Sequence, residues 1–188
     1  MKKYISILIV CIGFLLVSNS VAAQSDSGFV LRGKIKGLKN RSLVCLVSFQ
    51  NDTLSKTLSK GSRFVLKGQL INETGFYFLS VDTIKYEIGQ DGRSNTLWLV
   101  NGKMELTGRI HEFNELRLKG SEVQQDWEAY KALQDKHVKE AAWPAIPAVQ
   151  EFIGSHTNSL FAPMMIRMLP PDMLNKAYGR LSERVKQS

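Results

Sequence analysis

The sequence predicts an α+β fold, a β-sandwich-like unit of about eight or nine short antiparallel strands followed by a small helical unit. Three features carry this expectation. From Phe29 to Leu118 apolar and polar residues alternate with period two, the pattern of strands with one buried face. A phrase of alternating apolar residues closed by Gly recurs in that stretch, as Phe29-Val30-Leu31-Arg32-Gly33, Phe64-Val65-Leu66-Lys67-Gly68, Met104-Glu105-Leu106-Thr107-Gly108 and Leu116-Arg117-Leu118-Lys119-Gly120. At Ser121 the period lengthens to that of a helix.

Between these phrases the alternation places strands at about 42–49, 53–58, 75–81, 84–88 and 95–100. Turn chemistry at Lys60-Gly61, Asn72 to Gly75, Gly89 to Gly92 and Asn101-Gly102 separates them. Asn101-Gly102 is the strongest hairpin signal, because both residues tolerate positive φ. The closing glycines leave room for a bulge or a close sheet crossing. The phrase recurs at irregular intervals, so it is strand patterning and not a solenoid repeat.

Ser121-Glu122-Val123-Gln124 matches a capping box, in which the Ser hydroxyl and the Gln side chain satisfy each other's free backbone amides. Val123, Trp127, Tyr130, Leu133 and Val138 continue as a helical stripe to about Trp143, with acids early and Lys136 and Lys139 late. Pro144 and Pro147 break it. A second helix runs from Pro147 to Gly154, a third from Asn158 or Ser159 through Leu169, and a fourth from about Asp172. Near the end Leu174, Tyr178, Leu181 and Val185 recur at helical spacing, interrupted at Gly179. This last segment is expected to fray or to be covered by another chain, as the stump of a truncated link.

The first 23 residues read as a cleavable signal peptide. Lys2 and Lys3 supply the charge, Tyr4 to Val17 an apolar run shorter than the roughly 20 residues of a membrane span, and Val21-Ala22-Ala23 the small residues before cleavage. The mature chain is expected to begin near Gln24, in the periplasm or another extracytoplasmic compartment, with no stable membrane span. The organisation is then 1–23 signal peptide, 24–120 β-sandwich-like domain and 121–188 helical linker-like domain. Cleavage removes Cys11 and leaves Cys45 as the lone thiol, so no intramolecular disulfide forms. Cys45 lies in Leu43-Val44-Cys45-Leu46-Val47, where both strand faces are apolar, and is expected to be buried.

The formal net charge is +8. Residues 24–120 hold 15 Lys/Arg against 9 Asp/Glu, and residues 121–188 hold 8 of each. The bases stand singly at polar strand positions (Arg32, Lys34, Lys36, Lys67, Arg109, Arg117, Lys119), which reads as a solvated sheet face and not as a nucleic-acid patch.

Catalytic motifs are missing from the sequence. His111, His137 and His156 share no metal-ligand spacing with one another or with a Cys. There is no C-x-x-C, nucleophile elbow, phosphate loop or dinucleotide Gly pattern, and neither a cofactor nor catalysis is expected. Glu112 and Glu115 read as surface acids. The aromatic density of the β unit is Phe76-Tyr77-Phe78, Tyr86 and Trp98. Alternation makes Phe76 and Phe78 core residues and turns Tyr77 outward, so that Trp98, Tyr86 and Tyr77 form a conceivable ligand platform for a glycan or peptide.

Phe29 to Gly37, Gly61 to Gly68, Leu118-Lys119-Gly120-Ser121 leading into Gln125 and Tyr130, Phe152-Ile153 followed by His156-Thr157-Asn158-Ser159, and Tyr178 to Leu181 then Val185 to Ser188 carry a family likeness. Together they resemble the N-terminal region of bacterial extracytoplasmic thiol:disulfide interchange proteins, where a β domain of unknown function and a helical linker precede a thioredoxin-like domain. That family's thioredoxin-like domain, with its C-x-x-C, has no counterpart in this sequence. The resemblance implies a non-catalytic accessory or interaction module whose partner is an envelope protein or a separate thioredoxin-like protein. The alternatives are a truncated or split thiol:disulfide oxidoreductase and a glycan- or peptide-binding β-sandwich.

Overall fold

The computed structural model describes residues 28–82, 95–138 and 145–187. Eight strands are found there: β1 (Phe29–Lys36), β2 (Leu43–Val47), β3 (Thr53–Leu58), β4 (Arg63–Gly68), β5 (Thr74–Val81), β6 (Asn95–Val100), β7 (Gly102–Arg109) and β8 (Arg117–Lys119). They form two four-stranded sheets, ordered β4-β1-β7-β8 and β3-β2-β5-β6. Alternation does the work the sequence predicted. Leu31 and Ile35 of β1, Leu66 of β4 and Met104 and Leu106 of β7 turn inward to meet Val44, Leu46, Leu79, Leu97 and Leu99 of the other sheet, in one buried core. The signal peptide and the strand expected at 84–88 lie outside the described residues.

Five of the six strand pairs are antiparallel, but β1 and β7 pair in parallel, with Phe29 opposite Gly102 and Lys36 opposite Arg109. This overturns the hairpin at Asn101-Gly102. Residue 101 carries the chain from one sheet to the other, so β6 and β7 are not partners. Gly102 has φ 136° there and donates its amide to the Gly28 carbonyl, while the Asn101 side chain accepts from Leu70 N.

The recurring glycines make space rather than bulges. Gly33 pairs with Phe64 and Gly68 with Phe29 across β1 and β4, and each facing ring occupies the room where the glycine's Cβ would stand.

The helical unit has α1 (Glu122–His137), α2 (Ala145–Ser155), α3 (Ala162–Ile166), α4 (Pro171–Gly179) and α5 (Glu183–Lys186). It builds a second core on Phe152, Ile153, Phe161, Met165 and Ile166. That core takes in Leu181 and Val185, so their apolar side chains are packed within the helical unit, where the sequence suggested fraying or cover by another chain. The Ser182 amide donates to Thr157 O at 2.9 Å, and Arg184 reaches Glu122 at 3.3 Å. Hydrogen exchange on the isolated protein is therefore expected to show Ser182 and Val185 protected, and free exchange at both would contradict this packing.

Candidate functional site

The two units meet at the outer face of β6. An edge strand leaves every second residue's amide and carbonyl unpaired, a liability that must be covered. Here α1 covers it. The Trp98 amide donates to Gln124 Oε1 at 3.0 Å, and the Ser121 hydroxyl donates to Trp98 O at 2.6 Å. Ser121 Oγ also accepts from Gln124 N, which makes it a true N-cap. The expected capping box is thus half built: the Gln124 side chain serves the sheet edge and not the Ser121 amide.

Trp98 then enters the helical core. Its ring lies 5.0 Å from Phe76 and, edge to face, 5.1 Å from Phe161. Phe161 is the hub, with Trp127, Tyr130 and Phe152 all within 6 Å. Polar bonds brace the same seam: Ser159 Oγ donates to Asp126 Oδ2 at 2.5 Å, and Phe161 N donates to Ser159 Oγ. His156 stacks on Phe152 at 4.4 Å, and Glu151 binds both Lys136 and His137. Those hydrogen bonds hold the Glu151 carboxyl below its ordinary range.

A cleft of about 670 Å³ opens beside this seam. One wall is the β4–β5 turn at Ile71 to Thr74, the other is Leu160, Pro163 and Met164, and Arg167 stands at the rim. Ile71 is fully exposed and Met164 is 40% exposed, so apolar side chains stand at the mouth facing water.

The platform expected of Trp98, Tyr86 and Tyr77 is not assembled among the described residues. Trp98 is only 7% exposed, covered by the helices. Tyr77 lies on the opposite sheet face, half-buried against the sandwich core with Leu79 and Val81, and burial pushes its hydroxyl pKa up. Phe76 and Phe78 are the residues on the helix-facing side, so the inward and outward assignments in β5 are reversed. Tyr86 lies outside the described residues.

Cys45 also departs from expectation. It is half-buried, not buried, because the helices cover the β5–β6 end of the outer face and leave β2 and β3 more open, with Leu43 40% and Leu58 50% exposed. Partial burial raises the thiol pKa, with Lys56, its cross-strand neighbour, pulling the other way. The native thiol should therefore react measurably with a small alkylating reagent, more slowly at neutral pH than an unfolded control. Lys56→Ala should slow it further. A rate equal to the unfolded control, or no reaction before denaturation, would contradict the half-buried setting.

Among the described residues no group of three or more His, Cys, Asp and Glu is placed to hold a metal ion, and no helix is long and apolar enough to cross a membrane. Residues 29–127 match the model of a family described as a domain of unknown function, DUF4369. The match spans the sandwich and runs into α1 as far as Trp127, so it contains both the β6 edge and the side chains that cap it. No curated protein and no solved structure matches the chain.

Proposed function

We propose, from the premise that this chain belongs to the DUF4369 family of domains of unknown function, that it is a non-catalytic extracytoplasmic interaction module holding a partner protein in the cleft beside Trp98. The observation that carries this reading is the pair of exposed apolar side chains, Ile71 and Met164, flanking an open cleft with Arg167 at its rim. Apolar anchors beside a charged rim suit a protein partner. The polar side chains near the seam support the same reading, since Ser121, Gln124, Asp126 and Ser159 are engaged in bonds that join elements. The resemblance of the strand phrases to thiol:disulfide interchange proteins makes a thioredoxin-like protein the first partner to test.

The test is a photo-crosslinking amino acid placed at Ile71 or Met164 in cells making the protein, with Lys131 on α1 as the exposed control. Discrete adducts from 71 and 164 that are missing from 131 are expected, and mass spectrometry of the adduct identifies the partner. No adduct from either cleft position, or equal adducts from Lys131, would sink the proposal. Intact mass of the envelope fraction tests export separately, with an N-terminus near Gln24 expected and a retained Met1 contradicting it.

A further inference from the structure

We infer that the outer face of the β4-β1-β7-β8 sheet is a docking surface for an anionic lipid bilayer. The inference is independent of the cleft, which involves the other sheet. Read across the sheet in register, the outward residues form rows: Lys67, Val30 and Lys103; then Val65, Arg32, Glu105 and Lys119; then Arg63, Lys34, Thr107 and Arg117; and last Lys36 and Arg109. Nine are bases and one is an acid. All nine bases are exposed. This one face carries a net +8, equal to the formal charge of the whole chain.

Such an array has a cost. Lys34 faces Arg63 and Lys36 faces Arg109 in register, and like charges directly opposite destabilise a sheet. Relief within the face is slight, since Arg109 reaches Glu112 at 3.6 Å and Glu105 is the only carboxylate among the rows. A fold that accepts this repulsion gains from an external surface that neutralises it.

The shape of the face selects the partner. Strands about 4.8 Å apart, with outward residues about 7 Å apart along each, spread the charges in two dimensions. A bilayer of anionic headgroups is a two-dimensional array of the opposite sign. Among the described residues the apolar side chains of these rows are Val30 and Val65 alone, so the rows hold no aromatic anchor of the kind protein interfaces centre on. Single-stranded nucleic acid binds through stacking aromatics, which these rows lack; duplex DNA, which some sheets read with their strands, is decided by the test. Binding is then peripheral and electrostatic, with nothing inserted, and strongly dependent on salt.

The test uses the protein as recovered from the envelope fraction and vesicles of phosphatidylcholine, either alone or mixed equally with phosphatidylglycerol. At about 0.1 M salt the wild type is expected to co-sediment with the mixed vesicles and not with phosphatidylcholine alone, and to be released as salt rises. The triple variant Lys34→Glu, Lys67→Glu, Lys103→Glu should lose about a hundredfold or more in affinity. The matching Lys→Arg triple variant should keep it, with thermal melts showing that both are folded. Lys131→Glu with Lys176→Glu, on the helices, should bind nearly as the wild type does. Equal binding to the two vesicle types, binding unaffected by reversal on the sheet, or equal loss from reversal on the helices would each overturn the inference. So would tighter binding to duplex DNA than to the mixed vesicles at the same salt.

Discussion

Trp98→Ala is expected to cost about 3–5 kcal/mol and to separate the unfolding of the helical unit from that of the sandwich. Among the described residues the ring is the one large sheet side chain fully taken into the helical core, in contact with Phe76 and Phe161, while Phe76 and Val100 pack against that core only partly buried. Removing it leaves a cavity at the seam, and the capping bonds from Ser121 and Gln124 then rest on a strand whose remaining hold on the helical core is the partly buried Val100. Urea unfolding followed by circular dichroism and by tryptophan fluorescence should give coincident curves for the wild type and displaced curves for the variant. Trp98→Phe should cost much less. The indole Nε1 is buried without a hydrogen-bond partner among the described residues, so its loss removes a desolvated donor that costs about 1–3 kcal/mol. A one-step Trp98→Ala transition close to the wild type, or equal losses for Ala and Phe, would mean that the seam is held elsewhere.

The strands were legible because one face of each is buried, and Leu31, Leu66, Met104 and Leu106 follow the inward period without exception. The seam was harder to see. Phe76-Tyr77-Phe78-Leu79 and Leu97-Trp98-Leu99-Val100 are continuously apolar, which is the mark of a strand covered on both sides. Reading Phe76 and Phe78 as sandwich core used only one of those sides, and so turned Tyr77 the wrong way. The hairpin at Asn101-Gly102 failed for a different reason: local turn chemistry fixes a bend but not the partner of the next strand, and β7 finds β1 some seventy residues earlier.

The basic face shows the limit most clearly. Along the chain Arg32, Lys67, Lys103 and Lys119 are isolated bases, each at an ordinary solvated position. Only the strand order puts them on one surface, since β1, β4, β7 and β8 are scattered in sequence and adjacent in space. A reading by run and spacing sees charge clusters within an element, and this cluster lies across elements. The same strand order decides whether the recurring glycines matter, and there it gives a sharp result.

Gly33→Ala is expected to destabilise the sandwich by about 1–3 kcal/mol or more, although alanine is ordinarily the better strand residue. The backbone at Gly33 is not in the left-handed region, so strain is not the cause. Space is. A Cβ there would stand 2.0 Å from the Phe64 ring, which is itself 4% exposed and packed in the core with Leu31 and Leu66. The ring has to leave its place or push the sheets apart. Phe64→Ala alone should cost about 3–5 kcal/mol, because it empties that volume. In the double variant the new methyl group meets no ring and partly fills the void, so the pair should cost no more than Phe64→Ala alone. Denaturant unfolding of the four proteins then yields a coupling of about 1–3 kcal/mol between the sites. Gly179→Ala is the control, because nothing lies within 4 Å of its Cβ position at the end of α4, and it should be neutral or slightly stabilising. Strictly additive losses at 33 and 64 would show that the ring does not need the glycine, and the pairing of aromatic with glycine across β1 and β4 would have to be given up.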